Sequence, residues 1–65
     1  MPIVKIELLP GRSDQAKAAI AAEITQTVAR HTGAAPEHIY VMFDEVAPNN
    51  WAVAGKTFSS PQGEQ

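Results

Sequence analysis

Apolar and polar residues alternate over the first nine positions of the chain. Val4, Ile6 and Leu8 fall on the side of Pro2, while Lys5 and Glu7 fall on the other, interleaved with Ile3 and Leu9. A period of two predicts a β-strand over residues 2–9, and Pro10-Gly11 breaks it. The period then changes. From Asp14 to about Thr32, Ile20, Ile24 and Val28 recur at every fourth position with Ala16 and Ala21 close by, while Gln15, Lys17, Glu23, Gln26 and Arg30 fall mostly elsewhere. This spacing predicts a helix with one narrow apolar stripe. Ser13 is a good N-cap, because its hydroxyl accepts from a free backbone N–H, and Asp14 sits favourably against the helix dipole. Ala16 stands where a capping box needs Glu or Gln, so the reciprocal half of that motif is missing. Six alanines favour the helix and allow close approach by a neighbouring element. Gly33 is the natural stop, and Pro36 opens a turn.

Residues 39–46, rich in β-branched and aromatic types, predict a second strand. Pro48-Asn49-Asn50 reads as a short loop leading to Trp51 and a small-residue segment able to form a hairpin. Residues 57–65 are polar, contain Pro61 and Gly63, and read as a mobile tail.

A strand, a helix and a second strand make a right-handed βαβ unit with parallel strands, an α+β arrangement. Parallel sheets are normally covered on both faces, and this chain offers one helix. The other face is expected to meet another copy. The chain's 65 residues read as a single domain, 1–65, and one so short buries only about 60% of its unfolded surface. It has no cysteine, and neither His31 nor His38 stands in a zinc-binding spacing. Oligomerisation is the reinforcement that remains.

A formal charge of −2 with five scattered Lys and Arg residues gives no basic stripe, which argues against a nucleic-acid partner. No apolar run approaches the roughly 20 residues of a membrane span, and no charged region followed by an apolar block opens the chain. The cytoplasm is the expected location, with the lack of cysteine in agreement.

Pro2 is the position with the most chemistry in it. Read alone, a proline after Met1 suits methionine excision and protects the terminus. Removal of Met1 also turns an inert tertiary amide into a secondary amine at the start of a strand. An α-amino group titrates at about 7.7 to 8.0, and burial or a nearby cation lowers that value, which yields a neutral base near pH 7.

Pro2-Ile3-Val4-Lys5-Ile6-Glu7-Leu8, the turn Pro10-Gly11-Arg12-Ser13-Asp14, then Val41-Met42-Phe43-Asp44-Glu45-Val46, Asn50-Trp51 and Ala52-Val53-Ala54-Gly55 occur in order. Together these motifs resemble the 4-oxalocrotonate tautomerase family over roughly residues 2–56. The resemblance implies a tautomerase fold of the MIF-like kind, with a β-α-β unit and a short C-terminal hairpin. Its short members assemble as hexamers, trimers of dimers, with sites between subunits. It implies a cofactor-independent, metal-free keto–enol tautomerase in which Pro2 is the general base and later the acid. Arg12 matches the arginine that binds a substrate carboxylate, which its planar fork suits. Read alone, Arg12 is an exposed turn residue paired with Asp14 or Glu45. Trp51 matches the aromatic pocket wall that keeps water from the amine, and read alone it is an interface or core residue.

Tyr40 departs from the pattern. It stands where related enzymes carry a second arginine, so the implied substrate shifts from a dicarboxylate 2-hydroxy-dienoate toward an enol with one carboxylate, such as an arylpyruvate enol. Tyr40 retains a hydroxyl able to donate to the same oxygen. The missing arginine also admits another reading, a non-catalytic or weakly active subunit of a hetero-oligomer. Dehalogenases and hydratases of the superfamily use a carboxylate shortly after the aromatic position, where this chain has Val53. Asp44 and Glu45 are the nearest acids and read as strand-end residues, which ranks that activity below tautomerisation. His31 reads as a helix C-terminal residue and His38 as a turn residue, neither of them catalytic.

Overall fold

The computed structural model describes residues 1–59. Strand β1 runs Ile3–Leu8, helix α1 Asp14–Thr32, and strand β2 Tyr40–Glu45, with a 3₁₀ turn at Pro36–His38 before β2 and another at Pro48–Asn50 after it. A hairpin of β3, Ala52–Val53, and β4, Lys56–Thr57, follows. β1 and β2 pair in parallel, from Ile3 beside Tyr40 to Leu8 beside Glu45. The β-α-β unit with its short antiparallel hairpin is therefore the predicted arrangement.

The helix begins and ends where its caps dictate. The Ser13 hydroxyl accepts from the Ala16 N–H at 3.0 Å. Gly33 adopts φ 78°, a conformation that side chains disfavour, and its N–H closes the helix on the Ala29 carbonyl at 2.9 Å. Ala16, Ile20, Ile24 and Val28 of α1 are half-buried, as are Val4, Ile6 and Leu8 of β1 and Val41 and Phe43 of β2. These residues make a single layer of apolar contact between one helix and one face of the two-stranded sheet.

That layer is thin. Among the described residues only Ile39, at 8% exposure, is buried among the hydrophobics. The outer face of the sheet carries Ile3 and Tyr40 side by side, then Lys5 beside Met42, and Glu7 beside Asp44. Ile3, Tyr40 and Met42 remain exposed. The radius of gyration is 15.3 Å, against about 11 Å for a compact chain of this length. The molecule is a slab with an uncovered apolar face, as expected of one helix over a parallel pair.

The hairpin turns through Ala54 and Gly55, both at positive φ, which matches the two-residue turn whose twist suits β-strands. Thr57 and Phe58, read from the sequence as the start of a mobile tail, are instead held by the hairpin. Thr57 pairs with Ala52 in register, and the Phe58 N–H donates to the Trp51 carbonyl at 3.0 Å. Residues 60–65 of that predicted tail lie outside the described residues. Among the described residues no helix is long and apolar enough to cross a membrane.

Candidate active site

At the N-terminal end of the sheet, Pro2 enters β1 half-buried, and its carbonyl accepts from the Tyr40 backbone N–H at 3.0 Å. This bond adds a rung to the parallel ladder before the first paired residues. It fixes the proline ring at the head of the strand and sets Tyr40 beside it. The Tyr40 side chain lies on the outer face and is 47% exposed. Met1 projects beyond, 77% exposed. While Met1 is attached, the Pro2 nitrogen is an amide with no basic lone pair, and only excision makes it an amine.

At the opposite end of the strands stand Arg12 and Trp51. Arg12 occupies the turn between β1 and α1, where its Nη1 donates to the Leu9 carbonyl at 3.2 Å. It does not pair with Glu45, as the sequence read alone suggested. Glu45 is taken by Lys17, one helical turn past the Ser13 cap, at 2.8 Å. That hydrogen bond, with the charge of Glu45 and a lesser contribution from Asp14, raises the Lys17 pKa above its ordinary value of 10.5. Among the described residues the arginine head thus carries a carbonyl contact and no carboxylate.

Trp51 is delivered by the 3₁₀ turn, its N–H donating to the Pro48 carbonyl at 3.3 Å. Its ring stacks on Phe58 with centroids 5.9 Å apart and planes 10° from parallel. On its open side Trp51 borders a concavity of about 340 Å³ shared with Glu7, Val46, Asn50 and Ala52. Phe58 and Glu7 are the members of this neighbourhood that the sequence reading missed. The 57–65 segment reads as polar, and alternation places Glu7 only on the side of β1 opposite Pro2.

Of the four predicted site residues the structure joins Pro2 to Tyr40, while Arg12 and Trp51 stand apart from them beyond the other end of the strands. The length of β1 separates them, six residues or roughly 20 Å at strand rise. One chain does not bring them together. Of the other candidates, Val53 is exposed on the hairpin, Asp44 faces Lys5 at 3.7 Å, and Glu45 holds Lys17, so both acids behave as strand-end residues. His31 lies in the last turn of α1 and His38 in the 3₁₀ turn before β2. A second concavity, of about 660 Å³, follows the alanine face of α1 between Ala21, Ala29 and Pro36 and has no ionisable lining residue.

The chain is a parallel βαβ unit with an uncovered sheet face, a proline at the head of its first strand and an arginine in the turn after it. A family model described as tautomerase enzyme matches residues 2–60. A probable tautomerase of Ralstonia nicotianae is 40% identical over 63 residues, covering 97% of both chains. The crystal structure of a 4-oxalocrotonate tautomerase homologue superposes with a TM-score of 0.90 at 32% identity, covering 97% of this chain and 100% of that one. A heterohexamer 4-oxalocrotonate tautomerase from Chloroflexus aurantiacus matches with a TM-score of 0.84 at 26% identity over 94% of this chain and 98% of its own. The chain belongs to the tautomerase family and is an isomerase of the 4-oxalocrotonate tautomerase type.

Proposed function

We propose that the chain is a cofactor-independent keto–enol tautomerase in which Pro2, freed by removal of Met1, shuttles a proton between the enol hydroxyl and carbon. The single observation that supports this most is the position of Pro2 itself. It stands one residue before the first strand of a tautomerase fold, with its carbonyl tied to Tyr40, so one excision leaves an anchored secondary amine. Burial or a neighbouring cation in the assembled site would favour the neutral form of such an amine, which serves as base and then acid in one cycle.

In this reading the substrate carboxylate binds Arg12 through paired charge-assisted hydrogen bonds. Trp51 walls the pocket and excludes water, and the Tyr40 hydroxyl donates to the substrate oxygen. With one arginine, the favoured substrates are 2-hydroxy-dienoates or arylpyruvate enols bearing a carboxylate that Arg12 can hold. Pro2 and Arg12 lie at opposite ends of β1, so a complete site takes them from different copies. A homo-oligomer, a hexamer built as a trimer of dimers in a single-domain chain acting in the cytoplasm, fits the uncovered face of Ile3, Tyr40 and Met42.

The test is to keep Pro2 acylated by an added N-terminal residue, then release it with an aminopeptidase. Turnover of phenylenolpyruvate is expected only after release, and equal turnover by the acylated form would contradict the proposal. The Chloroflexus aurantiacus relative, a heterohexamer, favours one second reading, that this chain is a weakly active subunit working beside a related chain. Sizing the purified chain alone separates the two. A stable, active homo-oligomer supports the first, and a monomer that assembles only with a related chain supports the second.

A further inference from the structure

Three carboxylates crowd the C-terminal ends of the parallel strands. Asp44 has Lys5 at 3.7 Å and Glu45 has Lys17 at 2.8 Å. Glu7, in register beside Asp44, has no cation within salt-bridge reach among the described residues. It lines the concavity whose other borders are Trp51, Val46, Asn50 and Ala52. An unneutralised carboxylate on a partly apolar wall acts on a charged ligand through a medium less screening than water.

We propose that Glu7 is a specificity-determining residue. Its carboxylate repels a second carboxylate on the substrate and so selects enols with one carboxylate and a flat, uncharged far end lying against Trp51. The inference rests on the reading of Trp51 as a pocket wall. Of the residues that line the concavity Glu7 is the charged one, and in this reading Arg12 brings one positive charge from the turn after β1 while Tyr40 is neutral. A monoanion meets the arginine without penalty, and a dianion brings its second charge to Glu7. For charges about 7 Å apart at an effective dielectric of about 40, the repulsion corresponds to about a tenfold discrimination.

The experiment compares wild type, Glu7→Gln and Asp44→Asn, all as Met1-free full chains. Two ratios are read: kcat/KM for phenylenolpyruvate over 2-hydroxymuconate, and affinity for cinnamate over cis,cis-muconate from the fluorescence of Trp51, the single tryptophan. Glu7→Gln is expected to lower both ratios about tenfold, and Asp44→Asn to leave them within about twofold because Asp44 does not line the concavity. If the binding ratio moves while wild type shows no Pro2-dependent turnover, the role of Glu7 stands and the tautomerase assignment falls. If turnover is Pro2-dependent and Glu7→Gln moves neither ratio, the role of Glu7 is overturned and the assignment stands. Equal shifts in Glu7→Gln and Asp44→Asn would also overturn it, by showing a diffuse surface charge rather than a group in the cleft.

Discussion

The backbone N–H of Tyr40 donates to the carbonyl of Pro2 at 3.0 Å, so the residue that heads β2 is locked to the residue that precedes β1. The bond belongs to the main chain and survives any substitution at position 40 that keeps the backbone N–H, proline excepted. The phenol can therefore be varied without releasing the proline, and its effect on chemistry can be read apart from its effect on structure.

Tyr40→Phe is expected to lower kcat/KM for phenylenolpyruvate by about tenfold or less, the worth of one hydrogen bond of about 1 kcal/mol. Tyr40→Arg is expected to favour 2-hydroxymuconate by supplying a second cation for its second carboxylate. Steady-state kinetics on both substrates checks each.

Arg12 and Pro2 stand at opposite ends of β1, which makes complementation the expected behaviour of a site shared between copies. Arg12→Ala should raise KM by about 10- to 100-fold, as the loss of a charge-assisted contact implies. Oligomers refolded from equal amounts of Arg12→Ala and Pro2→Ala chains should regain about a quarter of wild-type activity, since random mixing leaves that share of sites intact. No recovery above the separate variants would place both residues in one chain's site, against the geometry.

Much of this arrangement is legible in the sequence because the deciding signals are local. Ser13 and Gly33 bracket α1 at the predicted residues, and the alternation of Val4, Ile6 and Leu8 assigns the inner face of β1 correctly. The second strand is two residues shorter than 39–46, since Ile39 closes the 3₁₀ turn with its N–H on the Pro36 carbonyl. The hairpin's reach was harder to read. Phe58 lies in a polar stretch, and what holds it is a ring seven positions earlier, a contact no local pattern reports. Glu7 escaped notice for the same reason, because only the fold-back after Pro48 brings Trp51 to its side.

The Lys17–Glu45 pair links the start of the helix to the end of β2 and is expected to give stability an alkaline dependence. The folded-state pKa of Lys17 is raised above 10.5, so its contribution is fully present below that value and is lost as pH rises through the folded-state pKa. Denaturant midpoints are expected to fall over that alkaline range in wild type. Glu45→Gln should flatten the fall, and an unchanged slope would show that the pair is energetically silent.

Ala54 holds φ 54° at the first turn position of the hairpin, a conformation Asn tolerates better than Ala. Ala54→Asn is expected to stabilise the protein by about 0.5 to 1 kcal/mol. Gly55→Ala, at φ 81°, should destabilise it by about 1 kcal/mol or more. Because the hairpin holds the Trp51–Phe58 stack, near-ultraviolet circular dichroism should lose its tryptophan signal earlier on heating in Gly55→Ala.

The most direct measurement is the ultraviolet-monitored ketonisation of phenylenolpyruvate by protein whose mass confirms the loss of Met1, with Pro2→Ala beside it under the same conditions. Dependence on the proline amine should appear as a loss of at least about a hundredfold in kcat/KM in the variant, the range of general acid–base catalysis, with the size of the protein in solution unchanged. Activity of Pro2→Ala within twofold of wild type would contradict the assignment of Pro2 as the proton-transferring group.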